Sequence, residues 1–496
     1  MTGARDAIVI GAGVNGLAAA AYLAMAGKRV LVLEARDSEG GLSDVDEFAD
    51  GVRATRAAHA LYALDPSVVR ELKLARHGLK FAVRDMPLVG LRNDGKHLVL
   101  VRDPYTTARH IVAHSDSDAN AWAEFRREWF ALARIMRHLW WSANSRNGDD
   151  AVARAERVSR MGAGAWLDSW FESDALKATL GFDAHALSPL AAGSALILVW
   201  RAAQEMCGLQ GAVAFPRGGL RALVDAVAAA ACKAGVETRT EAPVADIQVD
   251  SEGAVAGVAL ASGEMIAAPL VLSSLSRRQT LSQPSVRRAL GLGEAAQLDR
   301  RRSGAQMARV ALALDAPPTI SGSQVPLTGR FVVAERLDSL TAAHAAAMAG
   351  RLPQELTMEV VLPVAADPAL APQGRHLVSV LVGPVPAEIE GGWKAAKSLL
   401  AAKVVAQLSR HLPGLSRHLV GIEVLTPDEA RHGFGADDAF GGAVDAVRLL
   451  ADWRERVRTP MPGLILCGAA ADPVGAVSGR GGRMAACFAF ERDARS

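Results

Sequence analysis

The chain has 496 residues, of which 50% are hydrophobic, and this is enough for about two to four domains with full-sized cores. Its 55 basic and 53 acidic residues leave a net charge of +2, so it lacks the broad basic field that nucleic-acid binding requires. Four cysteines without a C-x-x-C pair favour a reducing, cytoplasmic location and argue against a structural metal.

The first predicted elements are a strand, a glycine-rich turn, a helix and a second strand. The strands cover residues 7–10 and 30–33, and the helix covers 17–26. The apolar run 7–27 imitates a signal peptide or a short membrane span, but the glycines inside it and the strand that follows argue against both. The order indicates a βαβ unit of a doubly wound fold.

Each residue of the turn has a mechanical role in binding a dinucleotide. Gly11 allows the tight turn, Gly13 lets the backbone approach a pyrophosphate, and Gly16 lets the helix pack closely on the sheet. Glu34 ends the second strand, where a carboxylate can accept hydrogen bonds from ribose hydroxyls. The strand, the helix and the acid together predict a dinucleotide site.

Two features favour FAD over NAD as the dinucleotide. The pair Gly40 and Gly41 follows the second strand and could let the backbone approach further cofactor oxygens. Near the other end of the chain, a short strand at 464–467 leads through a glycine-rich turn into a helix at 483–490. A second strand–turn–helix unit can direct another positive helix end at a flavin.

Residues 104–207 predict a helical block. One helix carries an aromatic stripe at three- and four-residue steps, which indicates a core face, or alternatively the wall of an apolar tunnel or a patch for peripheral membrane contact. The stripe consists of Trp122, Phe125, Trp129, Phe130, Ala133, Met136 and Trp140. The apolar segment 189–200 is too short to span a membrane.

The middle of the chain predicts a helix at 220–234, a three-stranded meander and a buried strand at 269–274 that returns to the first sheet. The meander strands are expected at 236–239, 244–249 and 255–260. A mixed block follows over 290–425, with strands at 309–314, 359–362 and 376–382.

These motifs resemble the phytoene-desaturase-like branch of the flavin amine-oxidase superfamily. The resemblance rests on four segments: 9–41, 215–220, 242–247 and 462–486. It implies FAD as the cofactor, with Val244 using its backbone near the adenine. The residues implied to hold FAD are Gly11, Gly13, Gly16, Glu34, Ala35, Arg36, Gly41, Val244, Gly468, Asp472, Gly475 and Val477.

The resemblance also implies an α/β fold, in which a Rossmann-like FAD-binding domain of the glutathione-reductase type carries an inserted α+β substrate domain. The FAD-binding domain is expected to be discontinuous and to comprise 1–95, 213–285 and 426–496. The substrate domain is expected over 96–212 and 286–425.

The C-terminal turn departs from the family pattern. Where relatives usually carry a histidine, a proline and three glycines, this chain carries Asp472, Pro473, Val474, Gly475 and Ala476. The added side chains stand where the backbone normally passes close to the flavin ring, so access of a substrate to the ring is expected to differ.

Few polar residues are candidates for catalysis. His59 could act as an acid, a base or an orienting donor, or could be a structural histidine. Asp472 could bond ribityl hydroxyls or cap the following turn. Arg480 and Arg483 could stabilise an anionic reduced flavin.

The motifs favour an FAD-dependent dehydrogenase, desaturase or oxidase that takes hydride from an apolar or amine-bearing small molecule. Since the sequence shows no redox cysteine pair and no second nucleotide motif, electrons are expected to leave to oxygen, a quinone or a protein acceptor. Two alternatives stay open. One is a binding or chaperone protein without turnover, as in the GDP-dissociation inhibitors of the superfamily, and the other is a redox-neutral isomerase.

Overall fold

The computed structural model describes residues 5–141, 149–184, 188–291, 293–294, 304–434, 452–472 and 476–493. Its strands are β1 (Ala7–Ile10), β2 (Val30–Leu33), β3 (Val45–Ala49), β4 (Val52–Thr55), β5 (Phe81–Val83), β6 (Leu88–Leu91), β7 (Leu98–Leu100), β8 (Glu205–Met206), β9 (Leu209–Gln210), β10 (Phe215–Pro216), β11 (Glu237–Arg239), β12 (Val244–Val249), β13 (Val255–Leu260), β14 (Met265–Ala267), β15 (Val271–Ser273), β16 (Ala305–Leu314), β17 (Arg330–Val333), β18 (Met358–Val361), β19 (His376–Pro386), β20 (Leu419–Leu425) and β21 (Leu464–Leu466).

The helices are α1 (Val14–Met25), α2 (Pro66–Glu71), α3 (Pro104–Ile111), α4 (Asp116–Trp141), α5 (Asp149–Ser159), α6 (Ala163–Asp168), α7 (Asp174–Gly181), α8 (Ala195–Ala203), α9 (Arg221–Lys233), α10 (Arg277–Leu281), α11 (Pro284–Ala289), α12 (Leu337–Met348), α13 (Pro363–Ala366), α14 (Trp393–Leu408), α15 (Pro427–Phe434), α16 (Trp453–Val457) and α17 (Arg480–Asp493).

A five-stranded parallel sheet brings distant parts of the chain together. Its order is β11-β2-β1-β15-β21, with every neighbouring pair parallel. The strands β1, β2, β15 and β21 are short, apolar and buried along their whole length, as strands covered on both faces must be. The parallel sheet with its helices and the mixed sheet beside it confirm the predicted α/β fold.

Two helices that pack on this sheet begin earlier than predicted. The first helix starts at Val14 rather than at residue 17, and the last starts at Arg480 rather than at residue 483. Their glycines therefore lie inside the first helical turn, where they permit close packing. A Cβ on Gly482 would collide with the carbonyl oxygen of Asn15 on α1, so the two helices approach through backbone.

The structure corrects the predicted meander. Residues 237–239 do not belong to it, because β11 pairs in parallel with β2 in the five-stranded sheet. The meander is β12-β13-β14, and its third strand, Met265–Ala267, was missed by the sequence analysis because it is only three residues long.

A second sheet has seven strands in the order β20-β16-β19-β18-β17-β6-β7. It contains the three strands predicted in the mixed block. It also contains Leu88–Leu91, which the sequence analysis placed in the FAD-binding segment 1–95 but which pairs in parallel with β17. The strands β6 and β17 have four residues each, and their short hydrophobic patterns do not reveal that they pair with each other.

The helical block forms as predicted, and the core interpretation of its aromatic stripe is confirmed. Trp122, Phe125, Met136 and Trp140 are each at most 3% exposed and belong to one apolar cluster with α8. Across the described ranges, no helix combines the length and apolar character that crossing a bilayer demands.

Candidate functional site

One continuous cavity of about 640 Å³ runs from the five-stranded sheet to the seven-stranded sheet. We call its first part the trough and its second part the chamber. The trough is lined by Gly11, Gly13, Asn15, Gly16, Glu34, Ala35, Arg36, Gly40, Gly41, Val244, Gly468, Ala476 and Val477. The chamber is lined by His59, Tyr62, Phe182, Asp183, Trp200, Arg201, Met307, Arg330, Glu359 and Leu381.

In the trough, Glu34 is fixed by the backbone around it. Its carboxylate accepts hydrogen bonds from the amide of Ala12 at 2.7 Å and from the amide of Arg36 at 3.1 Å. Each carboxylate oxygen keeps further acceptor capacity, and the residue lines the cavity. This geometry is compatible with hydrogen bonds from a ribose.

The glycines of the trough fit a closely approaching phosphate. A Cβ on Gly16 would collide with the Gly11 carbonyl oxygen, so this residue serves the packing of α1. A Cβ on Gly13 would meet no atom within 4 Å and would therefore project into open space at the start of α1. The helix end and the bare backbone form a cradle that suits a pyrophosphate.

Opposite ends of the chain meet in the trough. The Asn15 side-chain amide donates to the Ala476 carbonyl oxygen at 3.2 Å, which links the first turn of α1 to the C-terminal loop. The backbone of Gly468 packs so closely on Ser274 that a Cβ there would collide with its carbonyl oxygen. Asn15 was not singled out from the sequence, although it lies inside the glycine motif.

Of the twelve residues predicted to hold the cofactor, ten line the cavity and Gly475 lies outside the described residues. Asp472 is placed differently from the prediction, because it is buried beside Arg480, which donates to its carboxylate at 2.7 Å. Arg480 also pairs with Asp65, and Arg483 pairs with Glu71. These arginines tie α17 to α2 and are not among the residues that line the cavity, and their predicted role toward a reduced flavin stays a prediction.

In the chamber, a cluster of charged and polar side chains is buried among apolar walls. The Arg330 guanidinium donates to Glu359 at 2.8 Å and to Asp183 at 2.5 Å. The Tyr62 hydroxyl donates to Glu359, and the Arg330 guanidinium lies 4.9 Å from the centre of the Tyr62 ring. We call these four residues together with His59 and Arg201 the charged cluster.

The charged cluster holds Glu359 ionised. Burial alone would raise the pKa of Glu359, but Arg330 and the hydrogen bond with His59 outweigh it, so this pKa lies well below its usual range. Burial and the charge of Glu359 raise the pKa of Tyr62 well above its usual value, so the phenol stays protonated. The cluster is thus two acids and two guanidiniums around a neutral phenol.

The imidazole of His59 is enclosed by this cluster. Its Nε2 lies 2.9 Å from both the Tyr62 hydroxyl and the Glu359 carboxylate. Since the Tyr62 proton already points to Glu359, both neighbours act as acceptors and Nε2 carries the hydrogen. Nδ1 then accepts from the Ser379 hydroxyl at 3.4 Å.

Burial lowers the pKa of His59, so the ring is neutral near pH 7. The exposed fraction of its side chain is 0%. With both ring nitrogens engaged and no exposed surface, His59 is placed to orient its neighbours rather than to exchange protons with a bound substrate. Its predicted catalytic role stays a prediction.

Similarity to known proteins identifies the family of this chain. The sequence profile described as flavin containing amine oxidoreductase matches residues 15–479. The chain belongs to this family. A rat relative, "Pyridine nucleotide-disulfide oxidoreductase domain-containing protein 2", is 30% identical over 98% of this chain and 93% of its own length.

Two further comparisons agree with membership of the flavin-containing amine oxidoreductase family. The neurosporene-forming phytoene desaturase of Cereibacter sphaeroides is 24% identical over 96% of this chain and 92% of its own length. The crystal structure of an oxidoreductase from Methanosarcina mazei superposes with a TM-score of 0.65 at 18% identity, covering 98% of this chain and 99% of that one.

Membership of the family makes the chain an FAD-dependent oxidoreductase and confirms the predicted cofactor. The trough fits the dinucleotide, and Glu34, Gly13 and Val244 are the residues we expect to contact its ribose, pyrophosphate and adenine. In the described part of the chain, no group of three or more His, Cys, Asp or Glu side chains is arranged to hold a metal ion.

Sequence analysis missed five of the six residues of the charged cluster. They are Tyr62, Asp183, Arg201, Arg330 and Glu359. A signal existed for two of them, because Glu359 is a charge inside an apolar strand and Arg201 interrupts an apolar helix. A buried ionised group must find a partner, but the sequence does not say which one.

Proposed function

We propose that this FAD-dependent oxidoreductase removes hydride from a small, largely apolar organic substrate bound in the chamber. The observation that supports this most directly is the continuity of trough and chamber, which puts a substrate chamber next to the cofactor site in a single cavity. The apolar walls come from Phe182, Trp200, Met307 and Leu381, on elements of both the helical block and the seven-stranded sheet.

Bound FAD supplies a two-electron acceptor, so the chain itself needs only to hold a C–H bond beside it and to exclude water. Trp200, Phe182 and Met307 are each at most 4% exposed and form a dry wall for that purpose. The substrate loses two hydrogens in each turnover, and oxygen, a quinone or a protein acceptor takes up the two electrons afterwards. The enclosed charged cluster holds the wall in place.

The trough residues predicted from the sequence remain our proposal for the FAD contacts, and the division into a discontinuous FAD-binding part and an inserted substrate part remains our proposal for the domains. The start of the substrate part is shifted to precede β6. Cytoplasmic location and peripheral contact with a membrane remain predictions. On α4, the helix that carries the aromatic stripe, Arg137 pairs with Glu205.

The proposal is tested on purified protein under anaerobic conditions. We expect a yellow protein whose flavin absorbance is bleached by at least one compound in a panel of apolar acids, alcohols, amines and polyenes. The product should be two hydrogens lighter than the substrate. A colourless protein that takes up no added FAD contradicts the proposal, an unchanged product mass indicates isomerisation, and reduction by dithionite alone indicates a binding protein.

A further inference from the structure

Among the described residues that line the chamber, Trp200 and Arg201 carry a buried polar atom without a hydrogen-bond partner. These atoms are donors, the indole Nε1 of Trp200 and the guanidinium Nε of Arg201. A buried donor without an acceptor is costly, so each of these groups points to a ligand with the opposite chemistry.

Arg201 is a buried cation of the chamber that the chain compensates only in part. Its two terminal nitrogens donate to the backbone carbonyls of Tyr62 at 3.2 Å and Gly211 at 3.1 Å. Its Nε lies 3.8 Å from Asp183, which is beyond hydrogen-bond distance, and Asp183 is closer to Arg330. Burial lowers the pKa of Arg201 to about 10 because Asp183 offsets this desolvation only in part. A buried guanidinium in this position is stabilised by an additional anion.

The carboxylates of the chamber are already engaged. Glu359 accepts from Arg330, Tyr62 and His59, and Asp183 accepts from Arg330. The guanidiniums of Arg201 and Arg330 both lie near the Tyr62 ring, with their carbons 5.7 Å and 4.9 Å from its centre. An ammonium group would therefore meet two cations here, and both chamber acids already pair with Arg330.

We propose that the substrate of the chamber carries a carboxylate, which accepts hydrogen bonds from Arg201 and Trp200, on an apolar body that packs against Phe182, Met307 and Leu381. Arg201 and Trp200 both line the chamber, and hydrogen bonds from a guanidinium to a carboxylate are charge-assisted and strong. This inference rests on the proposed function and specifies its substrate class.

The first experiment compares three six-carbon probes on the FAD-loaded wild type by isothermal titration calorimetry. Hexanoate, hexan-1-ol and hexylamine share one apolar body and differ in their polar group. We expect hexanoate to bind about tenfold more tightly than hexan-1-ol, because one charge-assisted pair replaces a neutral contact. Hexylamine should bind most weakly of the three.

The second experiment removes one donor and keeps the aromatic ring. Trp200→Phe should weaken hexanoate binding about fivefold and leave hexan-1-ol binding unchanged. Trp122→Phe is the matched control, because the Trp122 indole nitrogen is likewise buried without a partner but lies outside the cavity. Since Arg201 also holds two backbone carbonyls, Trp200→Phe disturbs the fold less than an Arg201 variant does.

The results separate this inference from the proposed function. Equal dissociation constants for hexanoate and hexan-1-ol, tighter binding of hexylamine, or no binding of hexanoate overturns the carboxylate assignment. So does an equal effect of Trp200→Phe and Trp122→Phe. If an amine bleaches the flavin and hexanoate binds no more tightly than hexan-1-ol, the oxidoreductase proposal stands and only the substrate class is wrong.

Discussion

The trough and the chamber lie in one cavity but are built in different ways. The trough uses backbone and glycines, with one carboxylate held by the amides of Ala12 and Arg36. The chamber uses large side chains from distant segments, and its contact between His59 and Glu359 joins residues 300 positions apart. The cofactor site is built mainly from backbone, so it depends on local sequence. The chamber is built from long-range side-chain contacts, and we expect these contacts to determine which substrate the protein accepts.

The largest expected effect tests whether the charged cluster holds the chamber together. Glu359→Gln leaves Arg330 with Asp183 as its remaining acidic partner in the cluster, and removing one member of a buried ion pair costs about 3–5 kcal/mol. Urea unfolding should show this loss in the free energy of unfolding. The trough has no comparable buried ion pair among its described lining residues, so FAD affinity of the folded fraction should change little.

Glu423→Gln is the matched control for that variant. The Glu423 carboxylate lies 3.7 Å from buried Arg309, but its side chain is 37% exposed. A partly exposed pair of this kind contributes at most about 1 kcal/mol. Equal losses for Glu359→Gln and Glu423→Gln would mean that the charged cluster is not a structural support of the chamber.

The next effect tests the trough. Gly13→Ala places a methyl group in the open space where a pyrophosphate is expected, while its φ of −72° is an ordinary value for alanine. We expect FAD affinity to fall about 100-fold because the backbone can no longer approach the phosphates. Fluorescence titration of the apoprotein with FAD measures this change.

The free energy of unfolding of apo Gly13→Ala should match that of the wild type, because the methyl group meets no protein atom within 4 Å. Gly291→Ala is a suitable control, since its Cβ also meets no atom within 4 Å and Gly291 does not line the cavity. Unchanged FAD affinity in Gly13→Ala would remove Gly13 from the binding site.

The difference between the two regions explains what the sequence could predict. The βαβ unit was predictable because Gly11, Gly13, Gly16 and Glu34 occur at fixed spacings that reflect one local geometry. Gly482 was predicted in the turn before a C-terminal helix, but it lies in the first turn of α17, and its close contact with Asn15 requires the packing of α1 on α17. The sequence contains no signal for such a contact.

The chamber shows where prediction from the sequence ends. Glu359 is a lone charge in an apolar strand, so its need for a partner was visible, but Arg330 becomes that partner only through the alignment of β17 with β18. Asp472 lies away from the cavity lining for a related reason. It follows a strand of the FAD-binding sheet, as a cofactor ligand would, but Arg480 lies on the adjoining helix and pairs with it.

A smaller effect concerns a buried histidine outside the chamber, His411, and its contribution to the pH dependence of stability. His411 lies outside the cavity, is 1% exposed, and burial together with the nearby His97 lowers its pKa to about 4 from 6.5. The unfolded chain therefore binds this proton more readily, and stability is lost as the pH falls through 6.5 towards 4. Between pH 7 and pH 5 this amounts to about 2 kcal/mol.

His411→Gln should reduce the pH dependence of the free energy of unfolding by that amount. Urea unfolding of both proteins at pH 7 and pH 5 provides the comparison, and all other titrating groups cancel in the difference. If the wild type and the variant lose the same stability on acidification, then His411 does not titrate as its burial indicates. His411→Gln is not expected to change the affinity for FAD, because His411 does not line the trough.

The smallest expected effect decides whether His59 belongs to the chemistry or to the support of the chamber. Its ring has 0% exposed surface and bonds to Glu359, Tyr62 and Ser379, so His59→Asn should slow anaerobic flavin reduction less than tenfold. A general base contributes about 100- to 10,000-fold, and its removal also deletes a limb of the pH–rate profile. A loss of that size with a missing limb would place His59 in contact with the reacting atoms. A small loss with an unchanged profile would make it a positioning residue and leave hydride removal to the geometry between chamber and trough.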